Sequence, residues 1–145
     1  MKLIFWVFFF AISLPSLGQF HDSAKNWDTM ANVNYAKEQD EYGEIYVPKF
    51  AEEVKQMEGK KVSLKGFIIP FEGMFEPKHI ILSSLPIAAC FFCGGSGPET
   101  VAEAYLEKEI EYTVKPVTVT GTLSLNDSDY NQLMYILKDA TVSFD

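Results

Sequence analysis

Two segments of this sequence carry a glycine in the middle of a regular alternation of apolar and polar residues. Val117–Leu125 places valine and leucine on one face and threonine and serine on the other, with Gly121 near its centre. Lys61–Ile69 alternates similarly around Gly66 and is stopped by Pro70. Glycine weakens a strand interior unless the strand bends sharply or lies against another backbone. Small closed barrels need such bends, so the two glycines favour a barrel.

Three further segments have strand character. His79–Leu85 is apolar and rich in β-branched residues, and Tyr135–Phe144 closes the chain with one apolar face. Glu99–Thr113 fits a helix that begins at Pro98 or a strand, and the strand-rich surroundings favour the strand. As a strand it directs its apolar side chains inward and its glutamates into solvent, namely Glu103, Glu107, Glu109 and Glu111.

Five strands, two of them bent at glycine, predict a mainly β fold. We expect the five-stranded Greek-key barrel called the OB-fold, with an N-terminal helix, and an open sandwich is the alternative. The helix is predicted at about Pro48–Glu58, because proline suits a first helical turn and Gly59 suits a helix end. Phe50, Val54 and Met57 share one face of that helix.

Residues 1–18 have the three-part pattern of a secretory signal peptide. Lys2 is followed by the apolar run Leu3–Leu14, and small residues precede a cleavage point after Gly18. The apolar run is too short for a membrane-spanning helix, which is the alternative interpretation. We therefore expect an exported protein, periplasmic or secreted, whose mature chain begins at Gln19 and has no membrane span.

Two further parts follow the predicted signal peptide. Residues 19–46 are polar and acidic with scattered aromatic side chains, and they predict a loosely structured N-terminal arm that Trp27 and the tyrosines pin to the domain. A disordered leader is the alternative. Residues 47–145 are predicted to form the barrel domain.

The charge balance excludes one class of partner. The chain has 145 residues, 12 Lys+Arg, 20 Asp+Glu and a net charge of −8. Every one of its basic side chains is a lysine, so the bidentate guanidinium clamp for phosphate is absent. A nucleic-acid-binding surface needs a basic excess, so we expect no nucleic-acid partner.

The segment around Cys90 and Cys93 contains the residue types that form disulfides, bind metals or exchange thiols. Cys90 and Cys93 are separated by two phenylalanines and followed by a glycine-rich turn made of Gly94, Gly95, Gly97 and Pro98. Export places this pair where disulfides persist, so a disulfide is one interpretation. It would close a loop of only four residues and stabilise by roughly 2 kcal/mol, which is a weak reason to place it there.

The cysteine spacing also fits three other interpretations. Two thiolates two residues apart form half of a zinc or copper site, for which His79 and Glu99 are candidate additional ligands. A thiol–disulfide exchange site is the third interpretation, although neither a βαβ unit nor a lysine accompanies the motif. The fourth is a pair of free buried cysteines. No residue is assigned a catalytic role.

One pattern of residues extends over most of the chain after residue 26, namely Cys90-Phe91-Phe92-Cys93-Gly94, Gly97-Pro98-Glu99, Tyr46-Val47-Pro48-Lys49-Phe50, Glu58-Gly59-Lys60, Val62-Ser63-Leu64-Lys65-Gly66, Val117-Thr118-Val119-Thr120-Gly121-Thr122-Leu123, Leu125-Asn126 and Tyr135-Ile136-Leu137. On this pattern the chain resembles a family of small exported bacterial proteins of uncharacterised function over about residues 27–142. It also distantly resembles a broader domain family of unknown function in envelope proteins, some encoded beside ABC-type exporters or metal-uptake systems. That wider family carries a Cys, a His and a proline run where this chain has Cys90-Phe91-Phe92-Cys93. The resemblance implies an OB-like barrel with a strand after Pro98, and no established activity.

These observations predict an exported, non-enzymatic binding or accessory module of the cell envelope, with an envelope protein or transporter component as its partner. Cys90 and Cys93 would lie in a loop near one end of the barrel, as a disulfide or part of a metal site. The alternative from another class is a thiol–disulfide oxidoreductase that uses the same two cysteines.

Overall fold

The computed structural model describes residues 19–20, 22–70 and 75–144, and the predicted signal peptide lies outside them. No helix within this part of the chain combines the length and the apolar character needed to cross a bilayer. The strands are β1 (Gln19–Phe20), β2 (Val33–Asp40), β3 (Gly43–Phe50), β4 (Lys61–Ile69), β5 (His79–Ser83), β6 (Val101–Leu106), β7 (Val117–Leu125) and β8 (Tyr135–Phe144). The α-helices are α1 (Ser23–Met30) and α2 (Glu52–Lys55).

Five strands close into a barrel in the order β4-β5-β6-β8-β7, and β7 pairs back onto β4. Neighbouring strands are antiparallel except β6 and β8, which are parallel. This arrangement confirms the predicted OB-like barrel, and the β4–β7 pairing excludes the open sandwich. Fully buried apolar side chains of the strands fill the interior, among them Leu64, Leu82, Val119, Leu123 and Leu137.

The strand bounds agree closely with the alternation of the sequence. β4, β7 and β8 begin and end where the pattern predicts, and β5 ends at Ser83 rather than Leu85. Residues 99–113 contain a strand, as predicted, but it covers only Val101–Leu106. The glutamates after Leu106 lie in an irregular segment, although the Glu107 amide still donates to the Ala140 carbonyl of β8 at 2.9 Å.

The bend at Gly66 is where β4 changes partner. Lys61–Gly66 pairs with β7, and Phe67–Ile69 pairs with β5. A Cβ atom at Gly66 would lie 2.2 Å from the carbonyl oxygen of Ser83. At Gly121 a Cβ would lie 2.9 Å from the Cβ of Ala140, beside a register shift between β7 and β8. Both glycines are therefore required because another strand lies too close for a side chain.

The N-terminal segment is more ordered than the sequence predicts. Asp22 caps α1 by accepting a hydrogen bond from the Lys25 amide. The indole of Trp27 donates to the Lys65 carbonyl at 2.9 Å, and the Asn26 side chain donates to the Ser63 carbonyl at 2.9 Å. The prediction of a loosely structured arm is wrong for residues 22–44, although Trp27 does attach them to the barrel. Helical periodicity is hard to recognise here because α1 is only eight residues long.

The predicted helix at Pro48–Glu58 is shorter and begins later. Pro48 and Phe50 belong to β3, which forms an antiparallel hairpin with β2, and α2 covers only Glu52–Lys55. Proline is tolerated in a two-stranded ribbon because both of its strands are edges. Val54 and Met57 are buried as predicted. The predicted boundary between residues 46 and 47 lies within β3.

We expect Gly66→Ala to lower the free energy of unfolding by about 2 kcal/mol or more, because the new Cβ must push β4 and β5 apart. Urea denaturation of the variant and the native chain measures the difference. Lys61→Ala, at an exposed position on the same strand, is the control and should change stability by about 0.5 kcal/mol or less. Equal stability of the two alanine variants would contradict the role given to Gly66.

Candidate functional site

The two cysteines lie in the loop that joins β5 to β6. This loop consists of three short 3-10 turns, namely Ile87–Ala89, Phe91–Cys93 and Pro98–Thr100. Its base is closed by the Ser84 amide, which donates to the Thr100 carbonyl at 2.9 Å. The loop is therefore held at both ends by the barrel.

Cys90 and Cys93 differ in exposure although they occupy one turn. Cys90 is fully buried and packs with Ile69, Ile81 and Val101, whereas Cys93 is exposed. Both are free thiols. The Cys93 amide donates to the Cys90 carbonyl at 3.1 Å, which is the hydrogen bond of a β-turn. Residues at the two ends of such a turn have Cα atoms within the range that a disulfide spans.

The thiols also influence each other electrostatically. A hydrogen bond with the Cys90 thiol, followed in size by desolvation, raises the pKa of Cys93 above its usual value. A raised pKa keeps the thiol protonated at neutral pH, and the thiol is a poor nucleophile compared with the thiolate. The contact with Cys90 therefore lowers the fraction of Cys93 that is present as the reactive thiolate.

The glycines predicted as the loop of the site determine its shape. Gly94 follows the second turn with φ +76°, a left-handed conformation that favours glycine. A Cβ at Gly95 would lie 2.6 Å from the Ala89 carbonyl oxygen. A Cβ at Gly97 would lie 2.3 Å from the carboxylate of Glu99, which folds back over the loop, and Pro98 begins the third turn.

The two candidate additional ligands have other partners. Glu99 accepts a hydrogen bond from the Tyr35 hydroxyl at 3.2 Å, and His79 is bonded to Glu103 at 2.6 Å. In residues 22–70 and 75–144, no three His, Cys, Asp or Glu side chains are grouped so that they could hold a metal ion. The structure therefore unites Cys90 with Cys93 and does not bring His79 and Glu99 together with them as a ligand set.

The sequence did not predict a buried carboxylate on the outer face of β6. Glu103 is only 5% exposed, so the prediction that its side chain points into solvent is wrong. It does point out of the barrel, but the segment before β8 covers it, and the Leu133 amide donates to its Oε2 at 3.0 Å. Its Oε1 accepts from the Tyr105 hydroxyl at 2.7 Å and lies 2.6 Å from Nε2 of His79.

The residues around Glu103 form one connected network. The rings of His79 and Tyr105 are stacked with centroids 4.5 Å apart and an angle of 6° between their planes. Nδ1 of His79 lies 3.5 Å from the carboxylate of Glu76, and the Gln132 side chain donates to the Tyr105 hydroxyl at 3.1 Å. A carboxylate only accepts hydrogen bonds, so Nε2 of His79 carries the proton that faces Glu103.

A cavity of about 240 Å³ opens beside this network. Its polar wall includes Glu76, His79 and Glu103, and its apolar wall includes Ile69, Ile81 and Leu133. Those three apolar residues also pack in the cluster that contains Cys90. The cavity and the buried Cys90 therefore share Ile69, Ile81 and Leu133 as neighbours.

Comparison with known proteins adds little to this geometry. No protein-family model and no curated protein matches the sequence. Among solved structures, the chain is similar to a DUF3299 family protein from Pseudomonas aeruginosa, with 14% identity, 68% of each chain covered and a TM-score of 0.48. A likeness at this TM-score supports no inference about this chain, so its function is argued from the residues.

We expect Glu103→Gln to lower the free energy of unfolding by about 1–3 kcal/mol, because an amide cannot accept from three donors as a carboxylate does. Chemical denaturation at neutral pH measures the change. Glu107→Gln, exposed just beyond the end of β6, is the matched control and should be neutral. A neutral Glu103→Gln would mean that the network contributes nothing to stability.

A second prediction concerns alkaline pH. Desolvation, the Glu99 charge and the hydrogen bond to Glu99 raise the pKa of Tyr35. The folded chain therefore keeps a proton that the unfolded chain releases above about pH 10, and stability falls as pH rises past that value. Tyr35→Phe should weaken this decline when the free energy of unfolding is measured from about pH 8 to about pH 11. Tyr42→Phe, at a 90% exposed position, should leave the decline unchanged.

Proposed function

We propose that this chain is an exported, non-enzymatic binding or accessory module of the cell envelope whose Cys90–Cys93 turn is oxidised from a dithiol to a disulfide. The observation that carries the proposal is the turn itself. Its amide–carbonyl bond of 3.1 Å holds the two residues at a spacing that a disulfide can bridge. The exposure of Cys93 gives an external reagent access to the pair.

The redox step is a two-electron exchange. An incoming disulfide, from a protein or a small thiol compound, is attacked by the Cys93 thiolate, and one of its sulfurs leaves as a thiol. The Cys90 thiolate then attacks the mixed disulfide at Cys93 and releases the second thiol. Two thiol protons and two electrons leave the turn, and the incoming disulfide is reduced to two thiols.

Two observations favour this role over catalysis. In exchange enzymes a lowered thiol pKa makes the attacking cysteine reactive, whereas the pKa of Cys93 is raised by its contact with Cys90. The first cysteine of the motif is fully buried, so a protein substrate cannot reach it. We therefore propose slow oxidation by an abundant disulfide, without turnover of other substrates.

A metal role for the turn is the less favoured alternative. Zinc requires four ligands, and His79 and Glu99 are bonded to Glu103 and Tyr35. Zinc or copper bound by the two thiols would need further ligands from a partner molecule.

The proposed location rests on the sequence of residues 1–18, and the proposed partner on the resemblance. The run Leu3–Leu14 after Lys2 supports export, and an exported compartment is where the pair would be oxidised. The Cys90–Gly94 and Gly97–Glu99 motifs resemble those of small exported bacterial proteins, which supports an envelope protein or transporter component as the partner.

We expect protein purified from its native export route to be two hydrogens lighter than the dithiol form and to carry no stoichiometric metal. Intact mass, thiol counting and metal analysis measure these properties. Reduction should lower the free energy of unfolding by no more than about 2 kcal/mol, because the loop closed by the disulfide is so short. The Cys93→Ser variant is the control and should show no such mass difference.

Three outcomes would contradict the proposal. Free thiols that survive excess oxidised glutathione would exclude the disulfide. Stoichiometric zinc or copper lost on Cys93→Ser would establish the metal site. Acceleration of insulin reduction that depends on Cys90 and Cys93 would establish the oxidoreductase.

A further inference from the structure

We propose that the cavity beside Glu103 is a binding site for a small organic amine with a body of one or two rings. This inference deepens the binding role proposed above, because it names a ligand class, and it does not depend on the redox state of the cysteines. It rests on the size of the cavity, its lining and the charges that face it.

The size and the walls of the cavity determine the body of the ligand. An apolar protein cavity of about 150 Å³ holds benzene, so about 240 Å³ accommodates one ring with a side chain or two small rings. Ile69, Ile80, Ile81 and Leu133 supply apolar surface, and Phe75 supplies an aromatic ring. Ligand sites combine such walls with a few convergent polar groups, as this cavity does.

The charges of the lining determine the polar group of the ligand. Glu76 and Glu103 both face the cavity, and no lysine is among the described residues that line it. The chain has a net charge of −8 and no arginine, so its long-range field also repels anions. A carboxylate or phosphate ligand would therefore meet two like charges and no lysine among the described lining residues, whereas an ammonium group would be attracted.

The two carboxylates have different roles. Glu103 is buried and has three hydrogen-bonding partners, so it holds His79 and Tyr105 in place and has little capacity left for a ligand. The side chain of Glu76 is 69% exposed, and its contact with His79 at 3.5 Å leaves acceptor sites free. We assign Glu76 as the acceptor for the ligand amine and Glu103 as a positioning residue.

Aromatic side chains at the cavity support a cationic ligand. Tyr130 and Phe75 both line it, and Tyr130 is largely exposed. Ammonium groups are attracted to the faces of such rings. A carboxylate acceptor and aromatic rings in the same lining are a combination suited to an amine.

The test compares three probes that share one ring and differ in charge. The full mature chain is titrated with 2-phenylethylamine, 2-phenylethanol and phenylacetate, and binding is followed by the shifts of backbone amide signals in NMR spectra. We expect the amine to bind more tightly than the alcohol and the alcohol more tightly than the carboxylate. The largest shifts should fall on residues that line the cavity, including Ile80, Ile81 and Leu133.

Glu76→Gln tests the assigned acceptor without disturbing the core, because that side chain is exposed. We expect it to weaken amine binding about 2- to 5-fold and to leave alcohol binding unchanged. Glu52→Gln, an exposed acidic position on α2, is the matched control and should change neither affinity.

The proposal is overturned if none of the probes shifts the cavity signals, or if phenylacetate binds as tightly as the amine. It is also overturned if Glu76→Gln weakens the amine and the alcohol equally. The Cys93→Ser protein, which lacks only the exposed thiol and cannot form the disulfide, should bind the amine as the native chain does. Failure of the dithiol role and failure of the amine site are thereby distinguished.

Discussion

The close approach of β4 to β5 at Gly66 is the constraint on which the rest of the structure depends. At this point β4 leaves β7 and begins to pair with β5, and the barrel closes only because no side chain stands between Gly66 and the Ser83 carbonyl. Ser83 is the last residue of β5, and the cysteine loop begins directly after it. The bend that closes the barrel therefore lies opposite the start of the cysteine loop.

The fold could be predicted from the sequence largely because its strands are amphipathic, with one apolar face and one polar face. The alternation of apolar and polar residues in β4, β7 and β8 predicts which face of each strand packs in the core. Gly66 and Gly121 mark the positions where a second strand lies too close for a side chain. The prediction of a helix that begins at Pro48 was wrong, because proline suits both the first turn of a helix and an edge strand of a ribbon. Pairing with β2 decides between the two, and that pairing is a tertiary contact that no local pattern reveals.

The site was predicted only where its parts are neighbours in sequence. Cys90 and Cys93 meet because a turn of four residues brings them together. The Glu103 network joins β5, β6 and the segment before β8. His79 precedes Glu103 by 24 positions in the sequence, and Leu133 follows it by 30. A glutamate between two alanines on the outer face of a strand gives no local sign that Leu133 will cover it. Both proposed sites nevertheless share the wall formed by Ile69, Ile81 and Leu133.

The position of β8 has a consequence for how the chain reaches its folded state. This strand follows β6 and β7 in sequence, yet it lies between them and pairs with both. The barrel cannot close until β8 is present, and its closing contacts join segments that are distant in sequence. Such non-local topologies fold slowly compared with helical proteins of similar size. Acquisition of the native structure is thus coupled to the synthesis of β8.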